Sequence, residues 1–293
     1  MSQSLKNQVL PILVAILAFV VLSFLYYTQV QLLNLLPFKK ILTDIKWADI
    51  LVGLTIYLKT SIDFALLIGI LMSKFPGFKN RVAIEIGTAA GNALGTMLVL
   101  VVWFFFKEVF WLLALMILFA SLVLFKLAKT SLDHVALGEP GTEVLDQHEK
   151  LIEPNPLVAR FAKGLSVILI PINKVLDPFL SRVMPDLDFK ADKVQGFGGL
   201  FLASFTIPFI LGMDDFAGYV PLFNVVNVFG FGIGVFLGHM ILNIFLFLNP
   251  DRTIRIIKNP IIAVIGSTAF IALGAWGIYE AGHLVIEHYL IQK

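Results

Sequence analysis

Long apolar runs separated by short polar turns dominate this chain. A helix needs about 20 mostly apolar residues to cross the hydrocarbon core of a bilayer. Seven stretches meet that length, roughly 8–28, 47–73, 82–106, 109–128, 197–222, 224–248 and 260–288. The first follows Lys6 and has the look of a secretory leader, but it continues through Leu22-Ser23-Phe24-Leu25-Tyr26-Tyr27 without a small-residue cleavage site. It is therefore read as a retained helix. One long polar segment, about 129–196, interrupts the pattern. It opens with the loop-like Gly138-Glu139-Pro140-Gly141-Thr142-Glu143. From Leu157 to Val183 it mixes apolar residues with Arg160, Lys163, Lys174 and Arg182. That mixture predicts an amphipathic helix lying on the inner leaflet, broken near Pro171. A tether between two halves is the plain reading of the segment, and partner docking is the other.

Composition agrees with the pattern. The 293 residues are 58% hydrophobic and 14% charged, with a mean hydropathy of +0.90. Soluble domains are nearer one-quarter charged, and disordered chains are poor in apolar residues. A net charge of +2 is too small for a nucleic-acid surface. With no Cys, disulfides, thiolate metal sites and a Cys nucleophile are excluded. The bilayer is thus the first expected partner, and nucleic acid is not one.

Basic residues set the expected orientation. Lys6, Lys74, Lys79, Arg81, Arg252, Arg255 and Lys258 fall on the side of the N-terminus, together with the polar segment. Lys39, Lys40, Lys46, Lys107 and Lys293 fall on the other. The bias predicts a multi-pass inner (plasma) membrane protein with its N-terminus cytoplasmic and its C-terminus outside.

An internal repeat follows from two matches in the same order. Asp63-Phe64-Ala65 in the second span reappears as Asp215-Phe216-Ala217 in the fifth. Gly87, Gly91 and Gly95 in the third span are matched by Gly230, Gly234 and Gly238 in the sixth. Both triplets occupy i, i+4 and i+8, a small-residue stripe that lets helices approach closely in lipid. Each copy holds three helices, so the second enters from the opposite side, as in secondary transporters built from inverted repeats. The expected fold is all-α and polytopic, with about seven transmembrane helices in a 3+3 inverted-topology repeat plus one extra N-terminal helix. The units are 1–46 (N-terminal helix and connector), 47–128 (first repeat), 129–196 (cytoplasmic segment) and 197–293 (second repeat).

Carboxylates inside the spans are the first functional candidates. Asp63 lies about 16 residues into its span and Asp215 about 18 into its own, well within the slab at about 1.5 Å per residue. Each Asp near a helix centre costs about 2.5–3.5 kcal/mol on insertion, so an acid there is a functional-site hypothesis. Lys59, at i−4, offers Asp63 a structural partner. Asp214 and Asp215 have no Lys or Arg nearby in sequence. Pro208 and Gly212 predict a broken helix beside them, whose freed carbonyls would suit a cation. Carboxylate, carbonyl and amide oxygens suit Mg²⁺, Ca²⁺ or Mn²⁺. Asn92, Asn227 and Asn243 could add amide oxygens, with interhelical hydrogen bonding as the alternative. His239 reads as a buried, hydrogen-bonded imidazole, and Glu85 as an interfacial acid. Glu280, His283, Glu287 and His288 read as an interfacial patch on the last span, short of the paired motifs of a di-iron site. No phosphate loop, nucleotide fingerprint or nucleophile elbow is present, so neither an enzyme nor an ATP-driven pump is expected.

The segment Asp63-Phe64-Ala65-Leu66-Leu67-Ile68-Gly69, a basic turn to Arg81, and then Ile86-Gly87 and Gly91 resembles the first half of TerC-type proteins. Gly212-Met213-Asp214-Asp215-Phe216-Ala217-Gly218-Tyr219-Val220-Pro221-Leu222-Phe223 is similar to the second acidic motif of cadmium-resistance (CadD-type) transporters. Both belong to the LysE-like transporter superfamily, with the bacterial manganese exporters. The resemblance covers most of spans two to six. It implies a three-plus-three inverted repeat, export of a divalent cation, often Mn²⁺, and Asp63 with Asp214 or Asp215 as ion-binding acids. Two departures stand out. Phe64 and Phe216 occupy positions where those branches carry Asn.

The expectation is therefore an exporter of a divalent cation, Mn²⁺ favoured, with the cation as substrate and no permanently bound cofactor. Protons are a candidate coupling ion, and a homodimer is an open assembly state. Two other functions stay open. One is a LysE-like exporter of amino acids or other small solutes, and the other is a non-transporting membrane assembly or stress-response factor.

Overall fold

The computed structural model describes residues 3–137, 156–183, 196–223, 226–249, 252–253, 256 and 259–291. Some helical side chains fall outside that set, among them Lys59, Asp63 and residues 211–219. The described residues are mostly helical, and among them there is no strand. Its elements are α1 (Gln3–Leu33), α2 (Trp47–Thr60), α3 (Ile62–Lys74), α4 (Phe78–Phe106), α5 (Phe110–Leu137), α6 (Pro156–Val183), α7 (Gly196–Tyr219), a 3₁₀ turn at Val220–Leu222, α8 (Val228–Leu248) and α9 (Pro260–Ile291). Five stretches among the described residues are long and apolar enough to cross a bilayer: Ile12–Leu33, Phe78–Phe106, Phe110–Lys129, Val228–Leu248 and Pro260–Leu290. They fit a multi-pass membrane protein. Shorter apolar helices, Trp47–Leu58 and Gly196–Thr206, fall where the second and fifth spans are expected.

Glycine governs which helices meet. On α4, a Cβ at Gly87 would overlap Ser204 Oγ and the Phe201 carbonyl, and one at Gly91 would overlap the Phe205 carbonyl, all on α7. On α8, a Cβ at Gly234 would overlap the Ile50 carbonyl of α2, and one at Gly238 would crowd the Tyr57 ring. Gly230 faces Asp49 at the start of α2, and Gly53 of α2 returns the contact against the Phe231 carbonyl. Gly95 is buried on α4. Each stripe thus acts as a backbone-to-backbone seat. The third tight pair is α5 with α9, where Gly274 and Gly277 sit against Phe125, Ser121 and Pro221.

The extra helix α1 lies across α4 and α8. Tyr26 Oη donates to the Val228 carbonyl at 3.0 Å, and Gln29 Nε2 donates to the Met97 carbonyl at 2.9 Å. The Tyr26 ring stacks on Phe229 at 5.6 Å and meets Phe236 edge-on at 5.4 Å. Most large apolar side chains on the opposite face of α1 are exposed, including Leu17, Val20 and Phe24.

Three expectations about breaks are corrected. The second span is divided at Ser61, between α2 and α3, although neither Pro nor Gly stands there. Conversely, α7 runs unbroken through Pro208 and Gly212. Pro removes one backbone donor, but the ring of Pro208 is buried against Gly91, so packing offsets the lost bond. The amphipathic helix α6 is likewise unbroken at Pro171, which lies on its exposed side. Its inward residues Ala162 and Leu169 join Leu124, Phe125 and Leu132 of α5 and Phe270 of α9 in a second core. The loop-like half of the polar segment lies outside the described residues.

Candidate functional site

A small cavity of about 20 Å³ lies where α1, α4 and α8 meet. Glu85, Ala89 and Asn92 line it from α4, and Phe236, His239, Met240 and Asn243 line it from α8. The α1 wall is entirely apolar, with Ala15, Ala18, Phe19 and Leu22. Spacing explains the gathering. Glu85, Ala89 and Asn92 lie four and three residues apart, as do His239 and Asn243 at i and i+4, so each set shares one helix face.

Four residues singled out from the sequence thus come together: Glu85, Asn92, His239 and Asn243. Glu85 is 1% exposed, so it is buried among the helices. Both its carboxylate oxygens are buried without a hydrogen-bond partner. Arg81, one turn earlier on α4, does not neutralise it. The Arg81 Nη1 donates instead to the Phe247 carbonyl at 2.9 Å, with the guanidinium 5.7 Å from the Phe247 ring. The Asn243 Oδ1 and the Asn92 Nδ2 are also buried without partners.

The rest of the cluster is saturated. Thr88 Oγ1 donates to the Glu85 backbone carbonyl at 2.9 Å. Its single hydrogen is thereby used, so its 3.0 Å contact with Asn243 requires the amide Nδ2 to donate. The same Nδ2 lies 2.9 Å from His239 Nε2, which therefore accepts. That leaves the hydrogen on Nδ1, facing Tyr57 Oη at 2.5 Å. The chain of bonds fixes the Asn243 amide with its oxygen as the unused atom. The His239 ring is held between Tyr57 and Phe64, at centroid distances of 5.6 and 5.5 Å.

Tyr57 belongs to α2 and Phe64 to α3, so the imidazole sits against the break at Ser61. Ser61 itself is buried, and its Oγ has no partner. Asp63, the second residue of α3, precedes Phe64 at this point. The side chains of Lys59, Asp63, Asp214 and Asp215 lie outside the described residues, so their part in the site is a matter of backbone position alone. Asp214 and Asp215 fall in the last two turns of α7. Asn227 is placed elsewhere. Its Oδ1 accepts from Phe229 N and Gly230 N and caps α8, while its Nδ2 donates to the Asp44 carbonyl at 3.0 Å. Tyr57 and Thr88 were not foreseen as site residues. A hydroxyl facing a helix interior carries no local sequence signal of what it will meet.

Chemically, the cavity presents a carboxylate and an amide oxygen that no protein group engages. Leaving a buried polar atom unbonded costs about 1–3 kcal/mol, and more when it is charged. Such atoms call for a proton, a water or a cation. Among the described residues, no three His, Cys, Asp or Glu side chains form a metal-holding group. The patch on α9 is an exposed pairing, with His283 Nδ1 3.6 Å from Glu287 and the His288 ring stacked on Phe110 at 3.5 Å. At the far end of α4, Lys107 Nζ lies 4.3 Å from the Phe104 ring and 4.9 Å from the Trp103 ring. Burial pushes the Lys107 pKa down, Glu108 pushes it back up, and Lys39 lowers it further. No family model, no curated protein and no solved structure matches the chain.

Proposed function

We propose that this protein is a secondary transporter that exports a divalent metal cation, with Mn²⁺ the favoured substrate. The observation that carries the reading is the pair of unpartnered, buried oxygen donors, the Glu85 carboxylate and the Asn243 Oδ1, on side chains lining one cavity within the helix bundle. Oxygen donors of this kind suit hard divalent cations. A permanently bound metal would call for a fuller set of ligands, whereas a carried ion must also leave. The cavity has room for about one water-sized body, which favours an ion over an amino acid in this conformation. Asp63 at the α2–α3 break, and Asp214 and Asp215 near the end of α7, are the further acids of the pathway.

In this reading the seven spans are α1, the broken pair α2–α3, α4, α5, α7, α8 and α9. The last six form two inverted copies, α2–α5 and α7–α9. Exchanging the copies turns the α4–α7 contact into the α8–α2 contact and leaves α5–α9 unchanged, and this reciprocity supports the repeat. The protein is placed in the inner membrane with its N-terminus cytoplasmic, on the distribution of Lys and Arg.

Mn²⁺ flux in proteoliposomes tests the proposal. Glu85→Gln is expected to lower it about 100-fold, equivalent to roughly 2.8 kcal/mol of lost stabilisation. Asp63→Asn is expected to do the same. Wild-type flux in Glu85→Gln would remove Glu85 from the ion path, and competition by basic amino acids rather than by Mn²⁺ would transfer the protein to the small-solute exporters.

A further inference from the structure

His239 lines the cavity, yet neither of its ring nitrogens is available to an ion there. Nε2 is taken by Asn243 and Nδ1 by Tyr57. The two bonds together hold the ring in place between Tyr57 and Phe64, where it is 3% exposed. Imidazole nitrogen is a favoured ligand of Zn²⁺ and other borderline metals, whereas Mn²⁺, Mg²⁺ and Ca²⁺ are content with oxygen. A site that contains a histidine but withholds it offers only oxygen from its described polar side chains.

We propose that Tyr57 is a specificity-determining residue: by holding Nδ1 of His239 it keeps the imidazole from turning toward the substrate, so that the site lacks the nitrogen donor that would favour Zn²⁺ and Cd²⁺ over hard divalent cations. Tyr57 is not itself a ligand. It acts through His239, and His239 acts through Asn243, whose oxygen it keeps turned away from the relay. The Tyr57 ring is also the surface on which Gly238 of α8 is seated, so its position is fixed by helix packing as well as by the hydrogen bond. This inference rests on the cavity being a cation site.

The test is equilibrium binding of Zn²⁺ and Mn²⁺ to the purified full-length protein in detergent, by calorimetry, with Mn²⁺ flux in proteoliposomes run in parallel. Tyr57→Phe keeps the aromatic ring and removes only the hydroxyl, which releases Nδ1 and lets the imidazole turn toward the cavity. It is expected to tighten Zn²⁺ binding about tenfold or more while leaving Mn²⁺ binding within about threefold. Adding His239→Gln to Tyr57→Phe should abolish the gain. Unchanged Zn²⁺ affinity in Tyr57→Phe, or a gain that survives His239→Gln, overturns the proposal. A measurement on the wild type covers the case in which Tyr57→Phe does not fold. With ¹⁵N-labelled histidine, the His239 ring resonances should stay fixed as Zn²⁺ is added, and a shift to metal-bound values would overturn the proposal. Absence of Mn²⁺ flux in the wild type bears on the transport reading alone, because the binding arm still decides the role of Tyr57.

Discussion

Helices α4 and α8 are built alike and behave differently. Each carries a glycine stripe that seats it on a helix of the other half of the chain, and each turns a second, polar face toward the shared cavity. On α8 the polar face is nearly closed. Both His239 nitrogens and both Asn243 amide hydrogens have partners, and only the Asn243 Oδ1 is left over. On α4 the polar face is open, since the Glu85 carboxylate and the Asn92 amide nitrogen have none. One helix supplies a rigid frame and the other supplies unsatisfied donors and acceptors. Where polar groups are saturated they hold structure, and where they are left bare at the same depth they invite a guest.

The contrast makes predictions of opposite sign. His239→Leu removes one partner each from Tyr57 Oη and from Asn243 Nδ2, which keeps its bond to Thr88, and should lower stability by about 1–3 kcal/mol. Thermal unfolding in detergent reads this, and a loss under about 1 kcal/mol would mean that the relay holds little together. Next come the glycine seats. Gly91→Leu and Gly234→Leu should each cost about 1–3 kcal/mol through overpacking, and similar losses would mark the two stripes as equivalent supports. Glu85→Gln is the counterpart on the open helix. It replaces a buried, unpaired acid by a neutral amide, so stability should hold or rise by up to about 1 kcal/mol. A drop comparable to that of His239→Leu would show that Glu85 belongs to the frame after all.

The smallest effect lies just past the end of α4, at Lys107. Its folded pKa is below that of a free lysine. Between the folded and unfolded values the unfolded chain binds more protons, so stability rises with pH across that window. Following unfolding from about pH 7 to pH 10, the wild type should gain slightly on Lys107→Gln. A flat difference would mean that Glu108 and the neighbouring rings compensate fully for the burial.

The sequence is most legible where one physical rule dominates. Apolar runs mark the helices because lipid leaves no other way to satisfy a backbone. Gly87, Gly91, Gly230 and Gly234 announce close contact by spacing alone, although spacing does not say which helix will be met. Legibility fails where several elements compete. Pro208 looks like a break, yet its ring finds a seat on Gly91 and α7 continues. Ser61 looks unremarkable, yet the chain divides there. Glu85 lies near the start of an apolar run that does not reveal its burial, and α4 starts earlier, at Phe78. That puts Glu85 seven residues, about 10 Å, along a helix roughly 43 Å long. Its burial comes from the helices around it, which no local window contains.

The glycine seats bind α4 to α7 and α8 to α2 so closely that neither pair has slack to give. Two stiff slabs result, and the cavity lies on the plane between them. The 3.0 Å bond from Asn243 to Thr88 crosses that plane, so any shear between the slabs would break it first.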